Sequence, residues 1–497
     1  MVARALSEAV LRDVIAACDP AARVREALGE PVIASRLAGR RRCAIAIGKA
    51  ALAMARGAGE VAAGIAVVPR GASGALPRGW QLFEGTHPEP DDLSLAAGAA
   101  VLALAQSLGD ADVLLALLSG GASALAEQPI LPLPDFVATI RAVMAAGAPI
   151  DEINAVRGAL SAIKAGRLAL ASAAPVITLA VSDVIGDPLA VIGSGPTVGP
   201  WLAAPGLAID DGTAARRVRA RDILTRLGLA TPPVLAGEAP SRTVARTDHA
   251  AIVAPMASAG RAALDALRVR GIDATLVEAP MSGEVEDVAR MLLATAGRAA
   301  ADAGRAQTTW PRGGEAPISG EVDDVARRPL ATAGLAATDA GGAHTSSPRS
   351  GEAPISGEVE GGARGMALTD EGVIVAWGEP TLRLPSPHGV GGRAQQLALV
   401  LARGLRGTMR SALVVGTDGI DGPPPPGRPS PAGAWVDGAT WDAIAAAGLD
   451  PAAALAACDA GTALAAVGSL VVTGPSGINH ADLVILGVQH VRVQREG

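Results

Sequence analysis

From Val176 the chain reads VITLAVSDVIGDPLAVIGSGPTVGP, in which an apolar run, Ile177 to Val181, stops abruptly at Ser182-Asp183 and then turns twice through glycine. The run reads as a short buried strand. A buried strand whose C-terminal end delivers serine, aspartate and glycine is the arrangement with which open α/β sheets hold ligands. The turns at Gly186 and at Gly193-Ser194-Gly195 let backbone N–H groups approach an anion, and Asp183 and Asp187 offer carboxylates to a cation or a proton.

The same pattern recurs upstream. Helical stretches at Ala5–Ala17, Lys49–Ala63, Asp91–Leu108, Asp135–Ala145 and Ile153–Ala171 alternate with strands at Cys43–Ile47, Ile65–Pro69, Val113–Leu118 and Val176–Val181. Such alternation predicts a mostly parallel sheet with helices on both faces. Three strands end in Gly48-Lys49, Ser119-Gly120-Gly121-Ala122-Ser123 and Ser182-Asp183, which side by side would form one polar crevice. Strands at Ala250–Ala254 and Ala274–Val277 flank a helix at Ala257–Arg268. The final third predicts a second, smaller α/β unit, with strands at Gly372–Trp377, Ser411–Val415, Ser469–Thr473 and Leu483–Val488 and helices at Ala394–Arg403, Trp441–Ala447 and Pro451–Ala457.

Between these parts lies a repeat. The segment EAPMSGEVEDVARMLLATAG from Glu278 returns at Glu315 and starts again at Glu352, 37 residues further each time. A solenoid would keep its apolar positions, but Met291-Leu292-Leu293 of the first copy becomes Arg328-Pro329-Leu330 in the second. The first copy is therefore expected to be a helix and the rest, 307–365, a loop insert. The expected boundaries are 1–250, a linking strand and helix over 251–306, the insert, and 366–497.

Composition narrows the chemistry. The chain has no tyrosine, and a net charge of −7 argues against a nucleic-acid partner. Cys18, Cys43 and Cys458 are far apart and form no CxxC pair, which fits a reducing cytoplasm without disulfides or structural zinc. The N-terminus reads as an amphipathic helix and not as a signal peptide, and the longest apolar stretch, Leu93–Ala105, is too short to cross a bilayer. A soluble cytoplasmic protein acting on small molecules is expected, with monomer and homodimer both open.

Several residues could carry chemistry. Lys49 stands at a strand-to-helix turn where its ammonium and the helix N-terminus could meet a phosphate, although GxxxxGK[ST] is absent. Ser119 to Ser123, SGGAS, could be a backbone nest for phosphate; with no GxSxG, serine-hydrolase chemistry is not indicated. Arg157, Lys164 and Arg167 share one helical stretch and would clamp phosphate if they faced the crevice. Arg393 follows Gly391-Gly392 at a helix start, a position electrostatically disfavoured for a cation unless an anion is bound there. Asp418 and Asp421, in TDGIDG, could ligate magnesium or orient a hydroxyl.

Taken together, AIGKAA, FEGTHPEPD, LLSGGASAL, INAVRGALSAIKAGRLA, SDVIGDPLAVIGSGPTV, GEPT, GGRAQQLAL, GTDGIDGP and VTGPSGINHADL occur in the order found in MOFRL-type glycerate 2-kinases, which the chain resembles nearly throughout apart from the insert. The resemblance implies a larger Rossmann-like N-terminal domain and a smaller C-terminal α/β domain with a mixed sheet, the active site lying in the cleft between them. It implies transfer of a phosphoryl group from ATP, with Mg2+, to D-glycerate, giving 2-phosphoglycerate. By the same resemblance Lys49 and Arg393 are catalytic, with Asp183 near the acceptor. Asp183 and Asp187 form the acidic pair for metal. Ser119, Gly120, Gly121 and Ser123, with Gly193, Ser194 and Gly195, are phosphate cradles, and Arg157, Lys164, Glu379 and Asp418 bind substrate. The chain departs from the family pattern at Gly158-Ala159, Ala394, Gln396 and Trp377. Two alternatives stay open: an NAD(P)-linked hydroxypyruvate or tartronate reductase, against which the lack of GxGxxG counts, and a homologue that binds nucleotide without turnover.

Overall fold

Six parallel strands form the first sheet: β1 (Arg41–Ile47), β2 (Ala63–Pro69), β3 (Trp80–Gly85), β4 (Asp112–Leu118), β5 (Val176–Val181) and, after a short antiparallel ribbon of β6 (Ile209–Asp210) and β7 (Thr243–Val244), β8 (His249–Ala254). This computed structural model describes residues 4–238, 242–301 and 372–487. The strand order is β3-β2-β1-β4-β5-β8, so the tips of β1, β4 and β5 are neighbours, as the crevice requires. The chain leaves β1 for β2 on one side while β4 pairs on the other, which makes the β1/β4 boundary a topological switch point. β4 and β5 are buried along their whole length, which explains their nearly continuous apolar sequences. Ile45, Ile47, Leu114, Leu118 and Leu125 fill the core on one face, and Met54, Leu115, Leu117 and Leu179 fill the other.

The second sheet runs β13-β12-β11-β14-β10-β9, from β9 (Ala274–Leu276), β10 (Val373–Gly378), β11 (Ser411–Gly416), β12 (Gly433–Asp437), β13 (Leu470–Val471) and β14 (Asp482–Gly487). It is mixed: β9 and β10 are parallel and the other pairs antiparallel. Helix Arg393–Leu405 buries Leu397, Leu401 and Leu405 against one face, beside Val288 and Leu292 of helix Val285–Ala301. The first repeat copy is thus a core helix, as expected. The second and third copies, and the expected loop 307–365, lie outside the described residues. Both sheets belong to one compact unit. No helix among the described residues is long and apolar enough to cross a membrane.

Several expectations need correction. The helix expected over 49–63 occupies only Ala51–Ala58, because Gly59 ends it at φ 74° and β2 starts at Ala63. The helix expected over 153–171 breaks at Ser161 into Ile150–Leu160 and Arg167–Ala171. Ser161 is extended, its Oγ accepts from the N–H groups of Ile163 and Lys164, and Ala165 and Gly166 take left-handed conformations. Strands β3 and β12 and helices Pro20–Gly29, Pro31–Leu37, Thr213–Arg226 and Ala460–Ala466 complete the fold beyond the expected elements.

Candidate active site

The first rim of the site is built by close backbone approach. Gly48 has φ 133°, and a Cβ there would lie 2.1 Å from Ser119 Oγ. This lets the two turns interlock: Lys49 N–H donates to Gly120 O at 2.9 Å and Ala50 N–H to Ser119 Oγ at 3.1 Å. The backbone N–H groups of Gly120 and Gly121 have no partner among the described residues, which suits them to an anion. Asp183 stands beside this loop and accepts a hydrogen bond from Asn479 Nδ2 at 2.9 Å. Burial, then the charge of Glu379, push the Asp183 carboxyl above its ordinary range, against Asn479 and Lys49.

A Cβ on Gly120 would fall 1.8 Å from Asp183 Oδ2 and 2.1 Å from Asn479 Nδ2. Gly120→Ala must therefore displace the Asp183 carboxylate. It is expected to lower turnover about 10- to 100-fold while the protein melts as the parent does. Steady-state kinetics beside a thermal melt checks this, and normal turnover would contradict the placement of Asp183.

The second rim comes from the other sheet. Asp482 opens β14 and is in register with Gly378 of β10 and Gly416 of β11, so the strand ends leading to Glu379 and Asp418 converge around it. Arg393 starts helix Arg393–Leu405, where a cation opposes the helix dipole. Carboxylates answer both charges. Asp421 accepts from the N–H groups of Ala394 at 3.0 Å and Gln395 at 2.7 Å, which caps the helix from a distant loop. The guanidinium meets Asp482 through Nε at 2.8 Å and Nη2 at 3.3 Å, and Glu379 through Nη1 at 2.6 Å. Burial pushes the Asp482 carboxyl up to about 7 against the pull of Arg393. Burial also raises Asp421, with the backbone N–H groups opposing.

The two rims share a cavity of about 600 Å³ lined by Lys49, Asp183, Glu379, Arg393, Asp418 and Asp482, among others. Across it Lys49 Nζ pairs with Asp418 Oδ2 at 2.7 Å. Burial works against the Lys49 charge, but Asp418 outweighs it and the ammonium is held above its ordinary range. The cavity lining carries five carboxylates, Asp183, Glu379, Asp418, Asp421 and Asp482, against two cations.

A second cluster gathers Ser123, Ser194, Asn154 and Arg157. Ser123 Oγ and Ser194 Oγ are 2.9 Å apart, Ser194 Oγ donates to Asn154 Oδ1 at 2.8 Å, and Arg157 Nη1 reaches the same oxygen at 3.4 Å. Burial lowers the Arg157 pKa against the pull of Glu127.

Three expected roles do not fit. Lys164 is fully buried, and its ammonium donates to Ala122 O at 2.8 Å, so it braces the glycine loop from behind and does not line the cavity. Burial lowers its pKa to about 8. The N–H groups of Ser194 and Gly195 are spent on Val191 O and Ile192 O at 2.9 Å each; this turn packs against residues 165–168 and is no open cradle. Asp187 accepts from Met256 N–H at 2.9 Å and is not among the cavity residues, so it does not pair with Asp183 around a cation. Among the described residues no cluster of three or more His, Cys, Asp or Glu could hold a metal.

The positions that depart from the resembled pattern are not among the residues that line the cavity, although Ala394 N–H meets the lining carboxylate of Asp421. Ala394 is in the core, Gln396 Nε2 donates to Leu455 O at 2.8 Å, and Trp377 Nε1 donates to Val277 O at 3.1 Å. Sequence reasoning gave no role to Glu127 and Asp482. Glu127 is fully buried, accepts from Gln128 N–H at 2.8 Å and from Ser161 Oγ, and is pushed up by burial against Lys164. An acid directly after the apolar SALA of the loop was the available signal.

Residues 6–215 match the family described as "Domain of unknown function (DUF4147)" and residues 372–482 match the MOFRL family. A protein of Agrobacterium vitis, provisionally named a hydroxypyruvate reductase, is 33% identical over 455 residues, covering 88% of this chain and 97% of that one. The D-glycerate 2-kinase of Thermotoga maritima is 28% identical over 452 residues, 89% of each chain. The crystal structure of a glycerate kinase from Thermotoga maritima superposes with a TM-score of 0.70 at 26% identity, covering 96% of this chain and 97% of that one.

Proposed function

This chain belongs to the MOFRL-type glycerate 2-kinase family, and on that footing we propose that it transfers the γ-phosphoryl group of ATP to the 2-hydroxyl of D-glycerate. The observation that carries this reading is the pair of cations in one cavity, Lys49 from the first sheet and Arg393 from the second. Phosphoryl transfer needs little covalent help from a protein; it needs positive charge around the transferred group and an aligned acceptor. The free N–H groups of Gly120 and Gly121, beside Lys49, suit the phosphate chain of the nucleotide.

The acceptor oxygen attacks the γ-phosphorus, the bond to the β-bridging oxygen breaks, and ADP leaves with that electron pair. The hydroxyl proton passes to Asp183, whose carboxyl burial has made more basic. Glu379 is the exposed partner of Arg393 and the contact an incoming phosphate would replace.

The lining suits a divalent cation. Asp183 and Glu379 repel one another, and five carboxylates cannot receive a polyanion on two cations alone. Glu379 is the residue that would hold magnesium, in the usual manner of one or two carboxylates plus substrate phosphates, which leaves the Asp183 carboxylate to take the hydroxyl proton. Magnesium there would neutralise phosphate charge.

The reductase name of the Agrobacterium relative finds no counterpart at the switch point, where the turn after β1 reads Gly48-Lys49-Ala50 and no GxGxxG. The test is ATP-dependent turnover of D-glycerate with magnesium, coupled through enolase and pyruvate kinase so that only 2-phosphoglycerate is read. Turnover is expected. ATP binding without turnover would favour the non-catalytic reading, and NAD(P)H oxidation by hydroxypyruvate would favour the reductase.

A further inference from the structure

Residues 479–482, Asn-His-Ala-Asp, touch both rims within four consecutive residues. Asn479 Nδ2 holds Asp183 at 2.9 Å, and Asp482 holds Arg393 through two contacts at 2.8 and 3.3 Å. All four residues are buried. The intervening backbone is fixed twice over: His480 N–H donates to Thr417 Oγ1 at 2.8 Å, and Ala481 O accepts from Thr417 N–H at 3.0 Å and Thr417 Oγ1 at 2.7 Å. Ala481 has φ 62°, a left-handed conformation that a non-glycine residue keeps only where its surroundings impose it. The His480 ring lies against the backbone of Cys18, Ser182 and Pro255, from the first half of the chain, and burial lowers its pKa to about 4, so it stays neutral near pH 7.

We infer that residues 479–482 are a rigid strap that fixes the acceptor-side acid and the phosphoryl-side arginine in one frame, with Asn479 and Asp482 as positioning residues for Asp183 and Arg393. Three residues of extended chain reach at most about 10 Å, so neither anchored group can drift far from the other. Of the two acids on Arg393, Glu379 is 45% exposed and Asp482 only 3%. An incoming anion therefore takes the place of Glu379, while the two-point contact with Asp482 keeps the guanidinium plane.

The test combines a spectroscopic arm with a kinetic one, and only the kinetic arm rests on the kinase reading. In full-length protein the Arg393 Nε–H resonance, assigned by its loss in Arg393→Ala, is expected to shift or broaden away in Asp482→Asn. A resonance unchanged by that substitution overturns the strap whether or not the enzyme turns over glycerate. In the kinetic arm Asp482→Asn is expected to lower kcat about 10- to 100-fold with little change in the KM for ATP, and to add nothing in an Arg393→Ala background. Asn479→Ser is expected to behave likewise and to add nothing in an Asp183→Asn background, and it serves alone if Asp482→Asn does not fold. Effects that simply multiply in the doubles overturn the strap and leave the kinase reading standing. A wild type silent towards glycerate, with the resonance lost in Asp482→Asn, overturns the kinase reading and leaves the strap.

Discussion

Arg393→Ala is expected to lower kcat by about 10³-fold or more, the range seen when a positioned charge or donor on a transferring group is removed. The guanidinium occupies the one place in the second rim where a cation meets a helix N-terminus, and it uses three of its nitrogens, Nε and Nη2 on Asp482 and Nη1 on Glu379. Arg393→Lys should recover little, because a point charge cannot keep the two-point contact with Asp482 and also reach an anion. Unfolding is not the expected cause of the loss. Asp482, already pushed up to about 7 by burial, takes up a proton near neutral pH once its partner is gone, so no bare charge is stranded in the core. Turnover assays beside a thermal melt decide between the two. A variant that melts normally and keeps near-normal kcat would remove Arg393 from the reaction.

What the sequence made legible follows from how local each signal is. The tips of β1, β4 and β5 could be read because the apolar runs end in Gly-Lys, Ser-Gly-Gly and Ser-Asp, and a strand end is a local event. Their adjacency followed from the parallel alternation, and the observed order β1-β4-β5 delivers it. Arg393 was legible because a cation at a helix start is locally costly. Asp482 was not, since its importance depends on antiparallel register with Gly378 and Gly416, more than sixty residues away in sequence. Lys164 was misread for a similar reason. A helix continued through 153–171 would put it on the face of Arg157, but Ser161 turns its hydroxyl back on the chain and buries the lysine behind Ala122. The turn at 193–195 looks like a nest in sequence, and only the structure shows the N–H groups of Ser194 and Gly195 already spent. β3 was missed because an edge strand, WQLFEG, lacks both the apolar run and the clean alternation of a covered strand.

Lys49→Ala is the counterpart on the opposite rim, and its expected signature differs. Lys49 is 38% exposed and Asp418 only 19%, so an incoming phosphate can reach the ammonium from the open side of the pair and compete with Asp418 for it. Without Lys49 the cavity keeps five carboxylates against a single guanidinium, and a polyanion must enter a pocket one charge more hostile. The KM for ATP is therefore expected to rise together with a fall in kcat, and kcat/KM should drop by about 10³-fold or more. Lys49→Arg, which returns the charge, should recover part of the loss, and a Lys49→Ala enzyme with unchanged kcat/KM would end the case for this lysine. The double variant carries the sharper question. If Lys49 and Arg393 neutralise the same transferring group in the same step, removing both must cost less than the product of the single losses, because either deletion alone already forfeits the arrangement in which the two charges act together.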